Sequence, residues 1–94
     1  VEETVIAQVS KMYKVLGDKT RLKILLFLKS GEKNVTTIAQ EVAMEQSAVS
    51  HQLKLLRDNK IVISRREGKV IYYALADHHV MDILNQTFEH VLHS

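Results

Sequence analysis

The spacing of apolar residues changes period twice along this chain, and that change constrains the fold more than any other feature. Up to about Asn59 the apolar positions recur at helical intervals, so that each segment buries one stripe. From Ile61 to Arg66 and from Lys69 to Leu75, β-branched and tyrosine residues alternate or run together as they do in short strands. Glu67-Gly68 stands between the two runs as a hairpin turn. From about His79 to Leu92 the helical spacing returns.

The helical part divides at recognisable stops. A first helix spans Glu3 to Val15, with Val5, Ile6, Val9, Met12, Tyr13 and Leu16 at helical spacing. Gly17 ends it, and Asp18 caps a second helix from Lys19 to about Lys29, whose core face would be Leu22, Leu25, Leu26 and Leu28. Ser30-Gly31 closes that helix. A short helix follows from Thr36 or Thr37 to Val42, with Ile38, Ala39 and Val42 inward. Ala43-Met44-Glu45 then turns into a stronger helix from Gln46 to about Asn59. Proline is absent, which suits a mostly helical chain with short connections. The order is helix, helix, helix-turn-helix, hairpin, helix: mostly α with a β-hairpin wing. This is a winged helix-turn-helix in a single domain over residues 1–94, with an extra helix at each end. A chain of 94 residues that is 46% hydrophobic often completes its core against a copy of itself, so a dimer is expected.

Composition narrows the function classes. Without cysteine there is neither a disulfide nor a thiolate metal site, which fits a cytoplasmic protein. No apolar run approaches the roughly 20 residues that span a bilayer, and no signal-peptide pattern opens the chain, so no membrane partner is expected. A net charge of +2 is mild, and the placement of the charges carries more information than their sum.

On a helical wheel of about 100° per residue, Leu53 and Leu56 fall within roughly 40° of Val49, which makes this stripe the buried side. Ser47, Ser50, His51 and Lys54 fall between about 100° and 200° from it, on the opposite face. Short hydroxyls, an imidazole and a lysine offer hydrogen bonds to base edges and phosphates without bulk. A short helix across a tight turn before such a helix is the arrangement that sets the second helix in a major groove. Arg65, Arg66 and Lys69 cluster at the expected hairpin tip, within reach of phosphates or an adjacent minor groove. Periodicity alone would equally describe a solvated helix face; the second basic element favours DNA.

The last helix carries a second pattern. Asp77 and His79 stand at its entrance, and His90 and His93, three apart, share a face near its end. Between the two pairs lie about 16–21 Å of helix, whereas a metal–nitrogen bond is only about 2.0–2.1 Å. One helix cannot bring both pairs to one ion. Two antiparallel copies can, giving two equivalent sites, each with Asp77 and His79 from one subunit and His90 and His93 from the other. Four nitrogen and oxygen ligands without sulfur suit tetrahedral zinc, or cobalt. Nickel ranks behind these, because it would need His78 or an N-terminal donor to enlarge the shell. His78 itself points about 100° away from the other ligands on the wheel and is assigned to the surface. The apolar edge of this helix, Val80, Ile83, Leu84, Thr87, Phe88 and Val91, is expected to form the dimer interface with Val5, Ile6 and Val9.

Three stretches, LGDKTRLKILLFL at Leu16–Leu28, QSAVSHQLKLLRDNKIV at Gln46–Val62 and RREGKVIYYAL at Arg65–Leu75, resemble the ArsR/SmtB family of metal-sensing transcriptional repressors. The resemblance covers nearly the whole chain in order. It implies a dimeric winged helix bound to a pseudo-palindromic operator, with Gln46, Ser47, Ser50 and His51 reading bases. Glu45 departs from the pattern, since relatives often carry a serine or threonine cap there. The Asp-x-His and His-x-x-His pairs match the C-terminal-helix zinc site of part of that family. Family behaviour implies that the metal-free dimer binds DNA and the metal-bound dimer releases it. The resemblance also suggests the Lys60 carbonyl, accepting from His90, as the link between metal and recognition helix. Two other classes stay in view. A zinc hydrolase would need an open coordination position and a general base, and no carboxylate here has an obvious base position. A metal-independent interaction domain would show no salt-dependent DNA binding. No enzymatic activity and no small-molecule substrate are expected.

Overall fold

Five helices and three short strands follow one another in the computed structural model, which describes residues 1–94. They are α1 (Glu3–Leu16), α2 (Lys19–Leu28), β1 (Lys33–Asn34), α3 (Val35–Val42), α4 (Gln46–Asp58), β2 (Val62–Glu67), β3 (Val70–Leu75) and α5 (His79–Leu92). The break between α1 and α2 forms as the sequence dictates. Asp18 is extended, and its carboxylate accepts the Arg21 backbone N–H at 3.0 Å, which satisfies one of the orphan donors of the new helix. Arg21 then reaches both ways: its Nε donates to the Val15 carbonyl at 2.6 Å and its Nη1 to Gln52 Oε1 at 2.8 Å. One side chain thus ties the α1–α2 corner to α4.

Asn34 caps α3 in the same manner, accepting from Thr37 N–H at 2.8 Å, so the helix begins at Val35, slightly earlier than the threonines suggested. Its end is closed by Ala43 in the left-handed region, φ 55°, while Met44 N–H bonds back to the Ala39 carbonyl at 3.1 Å. That sharp reversal sets α4 across α3. The core lies between these helices and the sheet, with Ile24, Leu25, Leu28, Ile38, Val49, Leu53, Leu56, Ile61 and Val62 at its centre. Leu26, expected inside, is 42% exposed, and Ile24 takes its place with no exposure. The run KILLFL is apolar at nearly every position, so periodicity could not select its buried stripe.

The three strands form one antiparallel sheet in the order β1-β3-β2. The hairpin register pairs Val62 with Leu75 and closes at Glu67 with Val70, so the turn is Gly68-Lys69 rather than Glu67-Gly68. Gly68 has φ +63°, and a tight hairpin of this kind needs that value at its first turn position. The turn therefore moves by one residue to place the glycine there. Strand β1 is a two-residue polar segment with no pattern to announce it, and it pairs with Tyr72 and Tyr73.

Helix α5 returns to the core by Val80, Met81 and Leu84, with Phe88 half-buried against it. This corrects the expected interface: Val80 and Leu84 are spent within the chain. Ile83, Val91 and Leu92 remain exposed, as do Val5, Ile6, Val9 and Tyr13 on α1, which is exposed on every side as far as Lys11.

Removing the Asp18 cap by Asp18→Ala should lower unfolding stability by about 1 kcal/mol in urea, with Asp18→Asn retaining most of it. Equal losses for the two variants would mean that the cap bond is not what holds the corner.

Candidate nucleic-acid interface and metal-ligand pairs

Helix α4 presents the two faces that its wheel described. Val49, Leu53 and Leu56 have no exposure, whereas Ser47, Ser50, His51 and Lys54 are all exposed. Packing on one side thereby fixes the direction of the hydrogen-bonding groups on the other. Gln46, the first residue of the helix, is exposed but tethered, its Nε2 donating to Thr36 Oγ1 at 2.8 Å. Glu45 precedes it in an extended conformation and makes no side-chain cap bond. Gln46 and Ser50 line a shallow groove with Val35 and Thr36 of α3 and with Lys69, Val70 and Ile71 of the hairpin. Recognition helix and wing are therefore neighbours along one edge of the molecule.

The three basic wing residues do not behave alike. Lys69 sits in the turn, and Arg66 lies opposite Ile71, both exposed. Arg65, expected at the tip with them, stands further down the hairpin opposite Tyr72. Its Nη2 and Nε bond both oxygens of Glu32 at 2.7 and 2.8 Å, and its Nη1 bonds Glu67 at 2.8 Å. The guanidinium also lies 4.4 Å from the centroid of the Tyr72 ring. Hydrogen bonding to Arg65 holds the Glu32 carboxyl below its ordinary value, and the two carboxylates raise Arg65 in turn. No sequence signal foretold this pairing, because Glu32 lies in a loop far from Arg65 along the chain.

At the start of α5, Asp77 Oδ1 accepts the backbone N–H of His79 at 2.9 Å and stands 3.3 Å from the same residue's Nδ1. Two ligands of a tetrahedral ion, each about 2.0–2.1 Å from it, are themselves about 3.3 Å apart. The pair thus already has the spacing of one tetrahedral edge. His78 turns elsewhere: its Nδ1 is 2.8 Å from Asp82 Oδ2, a contact that raises the imidazole above its ordinary value. His90 and His93 lie at the other end of α5 around a shallow polar depression with Gln86, Glu89 and Ser94. All four expected ligands are exposed, and no three histidine, aspartate or glutamate side chains of the chain gather where they could share an ion.

Residues 18–64, from the α2 cap through α3 and α4 into the wing, match the model of the bacterial regulatory protein arsR family. Over 87 residues the chain is 42% identical to the HTH-type transcriptional regulator NmtR of Mycobacterium tuberculosis, covering 93% of this chain and 72% of that one. The chain belongs to the arsR family. It is a DNA-binding transcriptional regulator rather than an enzyme. This arsR-family chain is also 37% identical to a transcriptional repressor SmtB homolog of Synechocystis, covering 93% of this chain and 66% of that repressor. Its backbone is similar to the homodimeric winged helix-turn-helix DNA-binding domain of a possible ArsR-family regulator from Mycobacterium bovis, with a TM-score of 0.82 and 33% identity. That match covers 92% of this chain and 82% of the other.

The Glu32–Arg65 bond predetermines an acid response. A carboxyl held below its ordinary value stays ionised at neutral pH, where this exposed pair adds only a small contribution to stability. That contribution is lost as pH falls through the lowered value. Carbonyl NMR titration should place the Glu32 midpoint below 4.5 in the native chain and return it towards the ordinary value in Arg65→Gln. An unmoved midpoint would show that the bond is not formed in solution.

Proposed function

We propose that this arsR-family regulator is a metal-responsive repressor that binds operator DNA as a homodimer and lets go when zinc bridges its two subunits. One observation carries the reading: two pairs of metal-competent side chains stand at opposite ends of α5, with Asp77 and His79 already at the spacing of a tetrahedral edge. About 16–21 Å of helix separates the pairs, so a shared ion requires a second chain running the other way. The exposed apolar residues of α1 and α5 give that second chain a surface to cover.

Asp77 and His79 of one subunit and His90 and His93 of the other would hold the ion, which supplies charge and a fixed link between subunits. The set of three imidazoles and one carboxylate favours zinc, with cobalt closest to it in geometry. A cadmium resistance regulator of Staphylococcus aureus and an arsenical resistance repressor of Staphylococcus xylosus are also relatives. Soft thiophilic ions of that sort favour thiolates, and this chain has no cysteine. Nickel would ask for donors beyond these four.

On the DNA side, Gln46, Ser47, Ser50 and His51 read base edges in a major groove, Lys54 neutralises phosphate, and the wing follows the backbone through Arg66 and Lys69. A pseudo-palindromic operator in the cytoplasm would match a two-fold dimer. Fixing the angle between subunits fixes the separation of the two α4 helices, and this is how a distant ion changes DNA affinity. The Lys60 carbonyl, just beyond α4, is the acceptor through which His90 would transmit the change.

Zinc should weaken binding to a fluorescent duplex from the promoter region of the chain's own gene by roughly 5–150-fold, the usual range of allosteric coupling. His90→Ala should bind the same duplex with native affinity and ignore zinc. A native chain whose DNA affinity is indifferent to zinc would overturn the sensor reading. One that never binds duplex DNA would overturn the repressor itself.

A further inference from the structure

Arg65 has the composition of a phosphate contact and the geometry of something else. All three nitrogens of its guanidinium are already bonded, at 2.7 and 2.8 Å to the two oxygens of Glu32 and at 2.8 Å to Glu67, and the group lies over the Tyr72 ring. Two carboxylates around one cation leave the cluster with an excess negative charge, which repels a phosphate backbone. The sheet register gives the direction. Arg65 is paired with Tyr72, whereas Arg66, paired with Ile71, lies by alternation on the same sheet face as Val62 and Tyr73, which are buried in the core that seats α4. Neighbouring residues of a strand point to opposite faces, so Arg66 shares the recognition helix's side of the wing and Arg65 the other side.

We propose that Arg65 is a positioning residue: clamped between Glu32 and Glu67 on the back of the hairpin, it braces the wing at the tilt that lets Arg66 and Lys69 reach DNA. Glu32 is suited to the task because it immediately precedes β1, the short strand that pairs with β3 at Tyr72 and Tyr73. The clamp therefore runs across the whole sheet, from the β1 edge to β2. A bidentate arginine–carboxylate pair fixes orientation as well as distance, which a lysine there could not do. The brace rests on the DNA-binding reading above, and it assigns to Glu32, an acidic residue, a favourable part in binding a polyanion.

That sign makes the test sharp. Bulk electrostatics requires Glu32→Gln, which removes a negative charge, to tighten DNA binding. The brace requires it to loosen. Fluorescence anisotropy with a random-sequence duplex, over a series of salt concentrations, compares the native chain with Glu32→Gln, Arg65→Gln, the double variant and Arg66→Gln. Thermal unfolding of each is followed in parallel.

Glu32→Gln and Arg65→Gln should each weaken binding by about three- to tenfold, the scale of coupling between neighbouring groups, and the double variant no further than either alone. Their melting temperatures should stay close to native, since exposed ion pairs add little to stability. The slope of log affinity against log salt should be unchanged in both, and shallower by about 0.9 in Arg66→Gln, the value of one lost phosphate contact. A shallower slope in Arg65→Gln, or tighter or unaltered binding by Glu32→Gln, would overturn the brace. Absence of binding by the native chain would instead overturn the DNA-binding reading and the brace with it.

Discussion

The stripe formed by Val49, Leu53 and Leu56 is the constraint on which the remaining structure rests. All three side chains are withdrawn from water, and each fully buried residue of this size contributes about 1.5–3 kcal/mol through burial alone. The stripe seats α4 on the core by one side only and so dictates which residues face outward. Helices α2 and α3 supply the other wall through Ile24, Leu25, Leu28 and Ile38, and Val62 of the first wing strand is buried in the same cluster. Arg21, bonded to both Val15 and Gln52, then locks the corner of α1 and α2 against the recognition helix. Orientation of the exposed polar groups of α4 thus depends on packing beneath them more than on anything they touch themselves.

Much of this was legible in the chain because period and punctuation agreed. Asp18 caps where a cap was needed, the α4 stripe falls on the residues that its wheel selected, and the change to alternating residues marks the hairpin. What could not be read has physical reasons. In α2 nearly every position is apolar, so the choice of Ile24 over Leu26 is made by the shape of the neighbouring helices. The hairpin turn depends on which residue must adopt a positive φ, and Gly68 takes that position. Strand β1 exists only because β3 offers it an edge. The Glu32–Arg65 contact joins segments separated by two helices, α3 and α4, and local patterns carry no information about such encounters.

Helix α5 shows how one segment can serve two purposes without repeating a pattern. Its first turns are anchored within the chain by Val80, Met81 and Leu84, which places Asp77 and His79 on a firm support. Its last turns, with Val91 and Leu92 exposed, carry His90 and His93 away from the core. The single apolar edge expected from the sequence is therefore two edges, one for the core and one left open. The ligand residues were legible as residue types at telling intervals. The length of helix between the two pairs was legible as well, and it is what makes the proposed site one that two chains would have to share.

If each ion is shared between chains, as proposed, subunit mixing will show it directly. One chain would carry Asp77→Ala and His79→Ala, the other His90→Ala and His93→Ala. Each is co-refolded alone and then with the other, and zinc is measured by competition with a chromophoric chelator. Neither variant alone should hold tight zinc, and the mixture should regain it at one ion per mixed dimer, where the intact halves meet. Tight zinc on either variant alone, or a mixture as empty as its components, would contradict the shared site.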